Sequence, residues 1–307
     1  MTLKLYTLTF KNAHFGEGNL NESHFTFDAS RLFSALFLEA LKLKREAEFL
    51  NMCQAQSFVL SDAFPYIEGQ VYLPKPIGYP TYQEKSLANL KVARAEAKKV
   101  KKLSYIPVDQ MPAYLAHSAD IEQLGKNLKK LGTQSAVTRK GEDPYEVGVT
   151  AFAESLAIIA TQSELFDTLM ASLQYSGLGG KRTSGYGQFQ LAIRDLPEKW
   201  RKNITVTPAK TAMLLTTSVP NAEEMTPSMN GAKYLLKKAS GFAYSESTQE
   251  LLRKQDLYKF KAGSTFETPY RGDIVDVRPD GFPHPVWNYA KALFYELELK
   301  EEAEQVG

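Results

Sequence analysis

Apolar and polar positions mark the chain into a short series of elements. Leu3 to Phe10 is rich in β-formers and reads as a strand. A polar, glycine-bearing loop follows from Asn12 to His24. Asp28 or Ser30 then caps a helix predicted to run to about Glu48, with Leu32, Phe33, Leu36, Phe37, Ala40 and Leu41 on its buried face. Ser57 to Leu60 is predicted as a second strand, with Gln70 to Leu73 nearby, before Pro74, Pro76 and Pro80 break the regularity. Val147 to Ala153 returns to strand character. Gln162 to Tyr175 spaces Leu165, Phe166, Leu169, Met170 and Leu173 as a helix does, and Gly177 stands where a helix C-cap belongs. Tyr186 to Ile193 alternates again. The order β-α-β-β-α-β is the ferredoxin-like pattern.

Pro197 to Asn203 reads as a linker containing Trp200. Beyond it, Thr211 to Thr217, Tyr234 to Tyr244, Leu257 to Phe266, Gly272 to Val277 and Tyr289 to Leu299 mostly favour strand, with turns at Gly231, Gly263 and Gly281. The expected fold class is therefore α+β, with tandem ferredoxin-like (RRM-like) domains. Residues 1–200 form the first, interrupted by a basic insertion at about 75–146, and residues 201–307 the second.

Composition narrows the function classes. With 307 residues, 43% hydrophobic and 23% charged, the chain can bury a sizeable core and is not wholesale disordered. Lys and Arg number 37 against 35 Asp and Glu, so any polyanion must be met by a local patch. The insertion supplies one candidate. Lys85 to Lys102 carries seven cations against Glu96, and Lys126, Lys129, Lys130, Arg139 and Lys140 follow with no acid between them. Such runs are ordinarily solvated helix; here a phosphate-facing or partner-facing surface is favoured. The acids gather in the tail from Glu296 to Glu304. Cys53 is the single cysteine, which excludes an intrachain disulfide and a cysteine zinc site. No apolar run reaches the ~18 residues that span a bilayer. Met1 to Phe10 alternates too much for a signal peptide. A soluble, cytoplasmic protein is expected.

The strongest local signal is Gly177 to Gly187, where five glycines (Gly177, Gly179, Gly180, Gly185, Gly187) accompany Leu178, Lys181, Arg182, Thr183, Ser184 and Tyr186. Backbone amides, two cations and two hydroxyls can wrap a phosphate while a base stacks on Tyr186. The plainer alternative is a helix cap running into a glycine-rich hairpin. The segment lies between a helix and a strand in that order, which excludes both the nucleoside-triphosphate loop and the dinucleotide fingerprint.

This loop and its ferredoxin-like setting resemble the RAMP proteins of CRISPR systems. Gly272 to Val277, Gly281 to Val286 and Tyr289 to Leu293 are similar to the closing motif of the fourth Csm subunit of type III-A complexes, and Phe27 to Leu36 fits its first helix. The likeness covers most of the chain and is weakest from Pro74 to Glu146. It implies a non-catalytic subunit without a cofactor. Such a subunit caps the repeat-derived 5′ tag of CRISPR RNA and docks the large polymerase-like subunit beside the backbone RAMP subunits. It also implies a hairpin that displaces a base at the tag–guide junction, for which Gln134 to Val149 is the candidate, with Arg139, Lys140 and Gly141 at its tip.

The remaining constellations are weaker. His14, His24, His117 and His284 show no metal spacing. His14, beside Phe15, is open to three readings: an RNA contact, a general acid in a repeat-cleaving RAMP ribonuclease, or a plain loop histidine. Arg31 joins His14, Phe15, the loop and the hairpin tip as a candidate RNA contact. Asp273 and Asp276 lie on opposite faces of a strand and read as surface carboxylates. Trp287 and Tyr270 are candidate anchors for a partner. Two further readings stand beside the resemblance: a RAMP endoribonuclease and a generic RNA-binding scaffold. A central rather than C-terminal glycine loop counts against the first of them.

Overall fold

The computed structural model describes residues 2–80, 97–139, 144–245 and 249–299. At its centre is β1 (Leu3–Phe10), whose period-two pattern serves two cores. Tyr6, Leu8 and Phe10 point into one core, Leu3 and Leu5 into another. β1 pairs antiparallel with β8 (Ser155–Thr161) on one side and β9 (Phe189–Asp195) on the other, placing Leu5 opposite Ile159 and Arg194. β3 (Phe64–Ile67), β4 (Gln70–Pro74) and β5 (Tyr105–Pro107) extend the sheet to the order β5-β4-β3-β8-β1-β9.

Helix α1 (Ala29–Lys42) begins where Asp28 accepts from the Arg31 amide, as an N-cap should. It packs beside α2 (Glu46–Gln54) and the later helix Glu164–Ser176 over the Tyr6 face. Glu39 links two of these helices by accepting from Ser172 at 2.6 Å. The helix predicted to continue to Glu48 instead breaks after Lys42. Lys44 takes a positive φ, and a second helix starts at Glu46.

Two further expectations need correction. Ser57 to Leu60 is no strand; only an isolated bridge joins Leu60 to Ala160, and the strand lies at Phe64–Ile67. The central β8 has no counterpart among the expected strands. The insertion, read from sequence as a basic surface facing phosphate or a partner, also contributes to a core. Its helix α3 (Ile121–Leu128) and the short helix Met111–Leu115 bury Leu124, Met111 and Tyr114 against the Leu5 face of the sheet. The acids missing from the sequence of the basic run are supplied in space. Lys130 pairs with Glu68 at 2.7 Å, and Glu122 takes both Lys99 and Lys126. The Lys85–Arg94 stretch lies outside the described residues.

A hairpin of β6 (Gly132–Arg139) and β7 (Tyr145–Phe152) stands where Gln134 to Val149 was expected, in continuous register from Gly132 opposite Phe152 to Arg139 opposite Tyr145. β2 (Asn12–Ala13) adds to it through Asn12–Ala151 and Ala13–Thr150.

The C-terminal part is strand-rich. β10 (Ile204–Thr205), β11 (Ala212–Leu214), β16 (Thr265–Phe266) and β19 (Phe294–Glu296) form a four-stranded sheet. Three pairs surround it: β12 (Leu236–Ala239) with β15 (Leu257–Phe260), β13 (Phe242–Ser245) with β14 (Glu250–Arg253), and β17 (Ile274–Asp276) with β18 (Trp287–Tyr289). Tyr270, a candidate partner anchor, is 3% exposed and stacks edge-on with Phe266 and Phe294. It belongs to the core. Trp287 is half-buried. Trp200, in the stretch read as a linker, is buried and donates to Asp109 at 2.9 Å.

A buried charge cluster joins the two parts. Asp62 accepts from the Ala29 amide at 2.8 Å and from the Thr217 amide and hydroxyl at 3.0 and 2.6 Å. Lys259, fully buried, donates to Ser30 and Asn288, and Lys237 pairs with Asp28 at 3.2 Å. Burial alone would raise Asp28, but the charges of Lys259 and Lys237 outweigh it and hold that carboxyl well below its usual range. Asp62 goes the other way: burial, and then the Asp28 charge, push it up to about 6. Its folded value exceeds the unfolded one, near 3.9. The stability Asp62 contributes is thus fully present below that value and lost as pH rises through about 6. Asp62→Asn cannot ionise, so the stability gap between wild type and variant should shift towards the variant between pH 4 and 7. Urea unfolding at both ends of that range measures it, and a gap constant with pH would contradict the raised carboxyl.

Candidate RNA-binding cleft

Between α1 and the glycine loop lies a cleft of about 430 Å³. One wall is the α1 face carrying Arg31, Ser34, Ala35 and Leu38, and the other is Gly177 to Gly180 with Arg182. His14, Gly16 and the turn through Gly18, Asn19 and Leu20 complete the lining. Two arginines and no carboxylate line it, which suits an anionic ligand.

The loop is built by its hydrogen bonds. Helix α4 (Glu164–Ser176) ends with the Gly177 amide on Leu173. Leu178 and Gly187 close the loop's neck at 2.8 Å, Gly180 donates to the His14 carbonyl at 2.9 Å, and Gly187 donates to Asn12 at 3.0 Å. The crest is a single tight turn, Arg182–Ser184, with Lys181 and Gly185 left-handed on either side. The amides of Leu178, Gly180, Ser184, Gly185 and Gly187 are thus taken by the protein itself. The expected cradle of successive free amides is correspondingly reduced. Charge at the cleft comes from side chains.

The structure brings together His14, Arg31, Gly177, Gly179, Gly180 and Arg182, as anticipated from sequence. It corrects other assignments. Phe15 is 1% exposed and packs edge-on against Phe10 and Phe27, so it presents no ring to a ligand. It backs Arg31, whose guanidinium lies 5.9 Å from the Phe15 ring and donates to the Gly16 carbonyl. Thr183, Ser184, Gly185, Tyr186 and Gly187 do not line the cleft; the first three are exposed on the crest, Tyr186 is half-buried, and Gly187 is buried at the neck. Lys181 leans away, its ammonium 4.9 Å from the ring of Tyr145, which lies opposite Arg139 at the turn end of the β6–β7 hairpin. Arg139 ends β6 beyond the cleft lining, and Lys140 and Gly141 lie outside the described residues.

Sequence reasoning missed Asn19, Leu20, Ser34, Ala35 and Leu38. Nothing in the sequence singled them out; in the structure Leu38 is 48% exposed while its neighbours Leu36 and Phe37 turn inward. Among the described residues no group of three metal-ligating side chains comes together.

Comparison with known proteins places this geometry. Residues 207–297 match the family model for the CRISPR Csm4 C-terminal domain. The chain is 44% identical to a CRISPR system Cms protein Csm4 of Streptococcus thermophilus, over 97% of this chain and 100% of that one. It is 34% identical to a protein of the same name from Mycobacterium tuberculosis, over 99% and 100%. Its fold resembles a chain of the crystal structure of the Csm3–Csm4 subcomplex of the type III-A CRISPR-Cas interference complex, with a TM-score of 0.63 and 18% identity over 95% of this chain and 98% of that one. A Csm1–Csm4 cassette bound to AMPPNP gives a TM-score of 0.59 at 14% identity, over 97% and 99%. The fold is thus the mixed helix-and-strand, antiparallel-sheet fold of a CRISPR type III subunit. The chain belongs to the Csm4 family.

The loop glycines divide by what they accommodate. Gly187 has φ +84°, and a Cβ there would fall 2.1 Å from the Leu178 carbonyl oxygen; Gly185 has the same φ with open space around it. Gly185→Ala should cost only the left-handed penalty, about 1–2 kcal/mol. Gly187→Ala adds a backbone collision and should cost at least ~1 kcal/mol more. Thermal or urea unfolding of the two variants gives the comparison, and equal losses would mean that the neck is not fixed as described.

Proposed function

We propose that this chain is a non-catalytic subunit of a type III-A CRISPR interference complex. It holds the repeat-derived 5′ tag of CRISPR RNA in the α1–loop cleft and docks the large polymerase-like subunit beside the backbone RAMP subunits. The observation that carries the reading is the acid-free cleft, whose lining combines Arg31, Arg182 and His14 with glycine backbone. The relatives support the assembly. Solved Csm4 chains of similar fold occur with Csm3 and with Csm1.

The fold reading extends in the same way. Within the large sheet the order β9-β1-β8-β3, with α1 after β1 and α4 after β8, is the arrangement of a ferredoxin-like unit. We assign the first domain to residues 1–200 on that basis. The second ferredoxin-like unit, 201–307, is supported more thinly, by a four-stranded antiparallel sheet and the short helix α5 (Ala222–Ser228). The β6–β7 hairpin is the element that displaces a base at the tag–guide junction. Its turn end lies beside the glycine loop, where Tyr145 meets Lys181.

His14 in the cleft keeps one second reading alive, that of a RAMP endoribonuclease. Its Nδ1 is bonded to the Gly148 carbonyl at 2.7 Å, and no carboxylate or second histidine lines the cleft to complete an acid–base pair. Repeat RNA incubated with the protein, with and without Mg²⁺ or Mn²⁺, should remain intact. Cleavage abolished by His14→Ala would establish the enzyme instead.

The tag reading has its own test. Replacing Lys181 and Arg182 together by Ala should make log K against log salt shallower, by ~0.7 for each phosphate of a single strand deprived of its cation. Fluorescent tag RNA titrated at several salt concentrations measures the slope. An unchanged slope and affinity would remove both cations from the binding surface.

A further inference from the structure

His14 is 7% exposed, and its ring is fixed at one edge and open at the other. The Nδ1 partner is a backbone carbonyl, Gly148 O at 2.7 Å. A carbonyl only accepts, so Nδ1 carries the proton, and in the neutral imidazole Nε2 is a bare acceptor. No described group donates to it. Two glycines keep that edge clear. A Cβ at Gly16 would fall 2.8 Å from Nε2, and one at Gly180 would fall 2.6 Å from the neighbouring ring carbon Cδ2. Neither glycine has a left-handed φ, so space and not backbone conformation demands them.

A bare acceptor at the open edge of a cationic cleft is chemically selective. Arg31 and Arg182 suit phosphate oxygens, which are themselves acceptors and have nothing to offer a neutral Nε2. Along the backbone of a nucleic acid strand, the internal hydrogen-bond donor is the ribose 2′-hydroxyl, and DNA lacks it. We propose that His14 Nε2 accepts a hydrogen bond from a 2′-hydroxyl of the strand held in the cleft. This imidazole is then the group by which the cleft distinguishes RNA from DNA. The inference rests on the tag-binding reading and specifies it at one atom.

The test uses the full chain at pH 8. The probes are the tag RNA, a series with one ribose at a time made 2′-deoxy, and the all-DNA strand. Wild type should lose roughly threefold to tenfold in affinity at one position of the scan, the span of one net hydrogen bond. His14→Asn retains a donor towards Gly148, because the Asn amide nitrogen sits at the same number of bonds from Cβ as Nδ1, and it lacks the Nε2 acceptor. It should bind all-ribose RNA weaker by that same factor and be indifferent to the deoxy change at that position. Gly16→Ala, with its methyl against Nε2, should reproduce the loss, and melts on both variants confirm folding. A flat scan with RNA still bound by wild type overturns the hydroxyl assignment and leaves tag binding standing. So does a deoxy penalty that persists in His14→Asn. Wild type that binds no tag RNA at low salt overturns the tag reading and this inference together.

Discussion

Everything about the cleft depends on how the first turn of α1 is held, and a cluster of buried charge holds it. Asp28 caps the helix, while Asp62 reaches its Ala29 amide with one oxygen and engages Thr217 of the C-terminal part with both. Buried carboxylates are costly unless cations and donors surround them. Lys237 and Lys259, both from the C-terminal strands, provide that compensation. Arg31 sits in this first turn. Its position on the cleft wall is therefore set by residues more than 150 positions away in sequence, although every residue lining the cleft belongs to the first part of the chain.

The closing motif that made the chain resemble its family has the same work. Tyr289 receives the Leu60 amide at 3.0 Å. Lys291 donates to the carbonyls of Cys53, Ala55 and Phe58 between 2.6 and 2.8 Å, around the C-terminal end of α2, where orphan carbonyls and a negative helix end favour a cation. Burial pulls this ammonium down to about 8. Asp276 is no free surface group either: it accepts from the amides of Arg278 and Val286 and pairs with the Arg278 guanidinium. The residues most diagnostic of family are those that seat the C-terminal part on the helices of the first.

Periodicity explains which elements were legible. β1, α1 and α4 each bury one recognisable set of positions, so β1 and α4 are legible at nearly their observed lengths and α1 up to its break after Lys42, except that Leu41, expected on the buried face, is exposed. β8 is not, because Leu156 to Ala160 is a continuous apolar run buried on both faces, without the alternation that announces a strand. The insertion misleads through its charge: Leu103, Ile106, Val108, Met111 and Leu124 pack inward, but their spacing follows no single period. Within the site, glycines, arginines and histidine announce themselves by chemistry. Asn19, Ser34 and Ala35 do not, since their role is to give shape to a wall. Lys259 and Lys291 are the hardest of all. A lysine in sequence reads as solvent-facing, and only tertiary packing shows a carboxylate or a helix end waiting for it.

The glycine loop shows why its two readings need not compete. Gly187 is required by the neck of the loop itself, with Leu178 behind it, and Gly179 by the His14 carbonyl, 2.6 Å from where a Cβ would stand. These are demands of folding. Gly16 and Gly180 border the open edge of the imidazole, where a side chain would close the cleft without disturbing any helix or strand. The same backbone therefore satisfies a hairpin and a binding site at once. It also ties the site to the β6–β7 hairpin. His14 bonds to Gly148, the Gly148 amide bonds to Leu20 of the cleft rim, and Lys181 rests on Tyr145. All three contacts land on β7. The wall of the cleft is thus continuous with the hairpin, so a strand bound as proposed would run from one to the other.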